Sequence, residues 1–293
     1  MIYMRLSSSL SSSGHSAGAI TISARSALTI YERLMRAQEG LVTRTPDTAA
    51  ERDEFSLTVI PVTFAVARSG LEELGNLADA ILTKVDGNSR EICDVLSAIN
   101  WMLRGLLQST CGIVQRFKKT TGLRAKQAKQ LERLVEEECD RTFGTLTEKV
   151  LVRLVRLIFP WVERAVERLE DVAGVPMELI GILEGTLDAA EQNGFNGGIT
   201  SVRERVALEA CQELRRLPRR IPADGGSKDP VEGRKQRLVK KEAVWYLGRV
   251  VQRTTGTTTS ARIAGRLMDS ARVGRLSVVE REFVFWAGVV VTK

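Results

Sequence analysis

The chain has 293 residues, 43% of them hydrophobic and 27% charged, with a formal net charge of +7. That apolar share can build a sizeable core, which excludes wholesale disorder, while the basic balance favours polyanionic partners. One histidine, His15, excludes histidine-rich zinc or iron sites by count.

Residues 1–31 are rich in serine, carry Arg5 and Arg25, and contain no Asp or Glu. They read as a Ser-rich tail that leads into a first helix, together spanning 1–40. The same composition fits an organellar transit peptide or a bacterial secretion signal, but the apolar stretch of a secretory signal peptide is missing. Thr45-Pro46-Asp47 has the form of a helix N-cap with proline at the first helical position, and it opens a helical bundle predicted over 45–217. Pro61 is expected to break or kink that first segment.

Phe64, Ala67, Leu71, Leu74, Ala78, Ile81 and Val85 recur at alternating spacings of three and four. After the polar turn Asp86-Gly87-Asn88, the same alternation resumes at Ile92, Leu96, Ile99, Leu103, Leu106, Thr110, Ile113 and Phe117. Two such stripes across so short a turn predict an antiparallel helical hairpin. Asn88, with Glu91 three residues on, suits the start of the second helix.

A third long helix is predicted from about Leu123 to Ile158, with Pro160 kinking it or starting another. Gly174 and Pro176 mark the next stop and start, and Ser201 to Glu204 has capping-box spacing. Three prolines and three glycines make 218–233 a basic linker. A C-terminal helical subdomain follows at 234–293, with helices near 234–253 and 258–273 and an apolar segment from Phe283 to Val291. The predicted fold is therefore all-α, a multi-helix bundle with a helical subdomain. No apolar run reaches the roughly 18 residues of a membrane span, and an intracellular chain is expected.

Little in the sequence points to catalysis. His15 lies in the Ser-rich tail, a poor place to hold a base rigidly against a nucleophile. Cys93, Cys111, Cys139 and Cys211 are widely spaced, with no C-x-x-C, and the first three fall among apolar residues in helical patterns and read as small core residues in reduced form. Glu136, Glu137, Glu138 and Asp140 form the densest acidic run. Glu136 and Asp140 fall on one helical face, as in magnesium-holding helices, but a solvated face explains them more simply. The Thr254 to Ser260 run, before Arg262 and Arg266, reads as a Thr/Ser cap more readily than as a phosphate site. No catalytic residue, metal or cofactor is predicted, and the chain is not expected to be an enzyme.

Three basic surfaces remain. Residues 214–241 hold ten cations against Asp224, Asp229 and Glu232, a local net charge of +7 that equals the total. Within them, Val239, Ala243, Tyr246 and Val250 predict a core-facing stripe, and Arg234, Arg237 and Lys241 lie opposite. Trp245 sits near that surface, where an aromatic ring can stack on an unpaired base or serve as a boundary residue. Residues 95–131 carry seven cations and no acid, clustered around Thr120-Thr121-Gly122. The third surface, Lys149 to Phe159, has cations on one side and large apolar residues on the other. It reads as a core helix more readily than as a membrane-surface helix.

The expectation is a non-enzymatic structural or assembly protein that binds a polyanion, RNA above all. Its predicted contacts are Arg215, Arg216, Arg219, Arg220, Arg234, Arg237 and Lys241, seconded by Lys118, Lys119 and Arg124. The alternative is a helical adaptor or scaffold that engages a protein partner, or a second copy, through its heptad seams.

Overall fold

The structure, a computed structural model, describes residues 49–84, 89–120, 125–170, 172–192, 196–220 and 230–254, with Thr29, Glu32, Arg33 and Arg36. Among these residues the fold is all-α, a bundle of helices without a strand. The helices are α1 (Ala49–Lys84), α2 (Ser89–Thr120), α3 (Ala125–Thr145), α4 (Val152–Arg168), α5 (Gly174–Gln192), α6 (Asn196–Arg220) and α7 (Pro230–Thr254). A π-helical turn, Leu146–Leu151, joins α3 to α4.

The two apolar stripes explain α1 and α2. Phe64, Ala67, Leu71, Leu74, Ala78 and Ile81 are buried, as are Ile92, Leu96, Ile99, Leu103, Leu106 and Thr110. The Asp86-Gly87-Asn88 turn, Val85 and the Thr45-Pro46-Asp47 cap lie outside the described residues. So do the segments predicted near 258–273 and at 283–291, and most of the N-terminal tail.

Two prolines lie within continuous helices, Pro61 in α1 and Pro160 in α4, so neither one ends its helix. A helix-interior proline costs about 3 kcal/mol through a lost hydrogen bond and a ring clash. Around Pro160 the side chains of Phe159, Trp161 and Val162 are buried while the proline itself is exposed. Burying each large apolar side chain contributes roughly 1.5–3 kcal/mol, so the three together outweigh the proline. Other boundaries also shift. α6 begins at Asn196, which leaves Ser201 inside the helix, and it runs through Pro218 to Arg220. α7 begins at Pro230, whose missing N–H is harmless at a helix start. Helix thus covers 218–220 and 230–233 of the span read as a linker.

The chain divides into two compact units. In the first, α1 packs on α3. Across that contact Glu138 is buried, accepting hydrogen bonds from Arg68 Nη1 at 2.5 Å and Arg141 Nη1 at 2.9 Å. Gly75 of α1 sits against the π-turn so closely that a Cβ would collide with the Lys149 carbonyl oxygen. Lys149 Nζ also lies 3.5 Å from Glu72 Oε1.

In the second unit α7 packs on α4. From α4, Val152, Val155, Ile158, Phe159 and Val162 are buried, and from α7, Val239, Ala243, Tyr246, Leu247 and Val250. The Tyr246 hydroxyl donates to the Val172 carbonyl at 3.3 Å, and Arg253 Nε lies 3.1 Å from Glu184 Oε1. α4 ends at Leu169, which takes a left-handed conformation with φ 56°. Glu170 N–H then donates back to the Ala165 carbonyl at 2.9 Å, closing the helix end. Ser89, at the start of α2, donates its hydroxyl to Glu170 Oε2 at 2.6 Å. No helix of the described residues is long and apolar enough to cross a membrane.

Candidate polyanion-binding face

The predicted cations fall into three groups in the structure. On α7, the Val239, Ala243, Tyr246 and Val250 stripe turns inward, which leaves Arg234, Arg237 and Lys241 exposed on the outer side. None of these three forms an ion pair among the described residues. At 1.5 Å rise per residue, Arg234 and Lys241 stand about 10 Å apart along the helix.

The α6 arginines are divided. Arg215 is exposed and also without an ion pair among the described residues. Arg216 and Arg220 are bound to buried acids. Arg216 Nη1 donates to Glu213 Oε1 and lies 3.9 Å from Glu209 Oε1. Arg220 Nη1 lies 3.2 Å from Glu213 Oε2, close enough for charge attraction but without hydrogen-bond alignment. Arg220 also stacks over the Phe159 ring, 4.9 Å from its centroid. On α4, Arg156 Nε donates to Glu209 Oε1 at 2.7 Å. Glu209 and Glu213 are almost fully buried, at 0% and 1% exposure. Two buried carboxylates thus require these guanidinium groups for charge compensation. Glu163 of α4 adds acidity beside Arg220. Partial burial and then Glu167 raise its carboxyl above the usual value, while Arg220 pulls it down.

Arg219 lies on α6, and Lys118 and Lys119 lie in the last turn of α2, but their side chains are not among those described. Arg124 falls outside the described residues. The Lys149 to Phe159 surface resolves as core, with Val150, Leu151, Val152, Leu154, Val155, Leu157, Ile158 and Phe159 buried.

One feature escapes a reading that looks only for core stripes. Val231, Leu238 and Trp245 are exposed at 60%, 44% and 46%. Seven-residue spacing returns to almost the same helical azimuth, so they form one ridge along the outer face of α7. Arg234 and Lys241 stand between successive ridge residues. The Arg249 guanidinium lies over the Trp245 ring, 5.3 Å from its centroid, and Tyr246 meets the ring edge-on at 4.8 Å. The signal was present in the sequence as the heptad spacing of those three side chains, offset from the Val239 stripe.

The acidic run of α3 does not gather. Glu136, Glu137 and Asp140 are exposed, Glu137 pairs with Arg133 at 3.0 Å, and Glu138 points into the core toward Arg68. No metal-holding group of histidine, cysteine and carboxylate side chains occurs among the described residues. None of the four cysteines forms a disulfide among the described residues. Burial pushes the Cys211 thiol up to about 12, with Arg215 pulling it down, and burial also raises Cys111, helped by Cys139. Such thiols are poor nucleophiles at neutral pH. Thr254 is spent in the last turn of α7, its hydroxyl donating to the Val250 carbonyl at 2.7 Å, and the rest of the Thr-rich run lies outside the described residues.

Comparison of the chain with protein-family models, with curated proteins and with solved structures finds no match.

Proposed function

We propose that this protein binds RNA as a polyanion, through a cationic face carried by α7 with Arg215 of α6 as a further contact, and that its role is structural rather than catalytic. One observation carries this reading. Arg234, Arg237 and Lys241 share the exposed face of a helix whose other face is packed, and no carboxylate among the described residues pairs with them. Unpaired surface cations keep their charge for phosphate, whereas Arg216 and Arg220 spend theirs on Glu213 and Glu209. Arg215, Arg234, Arg237 and Lys241 are the proposed phosphate contacts, with Arg219, Lys118, Lys119 and Arg124 as additional candidates.

The adaptor reading through the long seams has less support. The described members of both seams are buried, and a seam already filled has no apolar surface left for another helix.

The test is binding of the purified full chain to a generic single-stranded RNA at low and at raised salt. Binding that weakens steeply with salt supports the reading. No binding at low salt overturns it.

A further inference from the structure

The outer face of α7 is more than a row of charges. Val231, Leu238 and Trp245 run along it as an apolar ridge, with Arg234 and Lys241 set between them. A duplex presents phosphate and sugar outward and keeps its base faces stacked inside. Pressing such a surface onto Leu238 and Trp245 would strip water from phosphates and return no apolar contact. An unpaired strand offers both chemistries in alternation, anionic phosphates and apolar base faces. Trp245 is suited to the second. Its ring is half exposed and braced from one side by Arg249, whose buried Nε has no hydrogen-bond partner and whose charge lies over the ring.

We infer that the α7 face is a single-strand platform, on which Trp245 stacks an unpaired base and Leu238 supports a neighbour while Arg234, Arg237 and Lys241 hold the intervening phosphates. This rests on the polyanion reading and narrows it to unpaired nucleotides. The ridge fixes what kind of strand is taken, and the cations fix how tightly.

The experiment compares the full chain against three probes: a short unstructured single-stranded RNA, the duplex of the same sequence, and phosphatidylcholine vesicles containing phosphatidylserine. The single strand is expected to bind more tightly than the duplex. Trp245→Ala is expected to weaken single-strand binding by roughly 5- to 150-fold, the range for loss of one base–aromatic stack, and not to weaken duplex binding. Trp245→Phe restores most of the loss, because a smaller ring still stacks. Leu238→Ser, a second variant on the same exposed ridge, shifts binding the same way and guards against a folding defect confined to position 245. Circular dichroism confirms that each variant folds. If single strand and duplex bind equally and neither variant changes either affinity, the platform is overturned while salt-dependent polyanion binding stands. If neither nucleic acid binds at low salt, both readings fall. If vesicles bind, nucleic acids do not, and Trp245→Ala abolishes the vesicle binding, the face belongs to an anionic lipid surface and the inference is overturned.

Discussion

Changing Arg215, Arg234, Arg237 and Lys241 together to Gln tests the cationic face quantitatively. Glutamine keeps a polar side chain and helix propensity, and all four positions are exposed, so folding should survive. Each phosphate contact to a single strand contributes about 0.7 to the slope of log affinity against log salt. Losing four should flatten the slope by about 2.8, so across a fourfold rise in salt the native chain should lose about 50-fold more affinity than the variant. The assay is fluorescence anisotropy of a labelled single-stranded RNA over a salt series. The paired arginines provide the contrast. Arg216→Gln or Arg220→Gln removes a partner from buried Glu213, and leaving a buried charged group under-compensated costs about 1–3 kcal/mol. Those two variants should melt earlier yet barely change the slope. A folded quadruple variant with the native slope, or an Arg216 variant that flattens it as much as the four exposed changes do, would refute the division of the arginines.

Further outcomes follow from packing and titration. Gly75→Ala should destabilise the chain by about 1–3 kcal/mol because its Cβ meets the Lys149 carbonyl, whereas Gly181→Ala, with open space around it, should stabilise by about 1 kcal/mol; denaturant midpoints separate the two. Leu169→Gly should raise stability by about 1 kcal/mol, since a left-handed, largely solvated leucine gains from losing its Cβ; an unchanged melting temperature would contradict this. Alkaline stability should fall with a known sign. The Cys211 thiol ionises near 9.0 in the unfolded chain but only at about 12 in the folded one, so the unfolded state sheds its proton first. Stability is then full below the lower value and falls by about 1.4 kcal/mol per pH unit as pH rises toward the upper one. Cys211→Ala should flatten that part of the curve, measured by denaturation at a series of alkaline pH values.

Much of the helical architecture was legible in the chain because it is written locally. The stripes from Phe64 to Ile81 and from Ile92 to Thr110 recur at the helical period, and burying them follows directly from that period. The inward face of α7 was legible for the same reason. Three things were decided only by tertiary structure. The helix continues past Pro160 because Phe159, Trp161 and Val162 around it are buried, which neighbours distant in sequence settle, whereas local rules count only the lost hydrogen bond. The run of arginines at 215–220 looked uniform, yet Arg216 and Arg220 are tied to acids while Arg215 is not. Glu209 and Glu213 look like ordinary surface acids in the sequence, and burial within the second unit, with Arg156 reaching in from 53 positions away, makes them demand partners. Finally, Val231, Leu238 and Trp245 have the spacing of a core stripe, and only the packing of α7 on α4 shows that the opposite stripe is buried and this one faces solvent. Periodicity tells which residues share a face of a helix; the partner elements alone decide which face is covered.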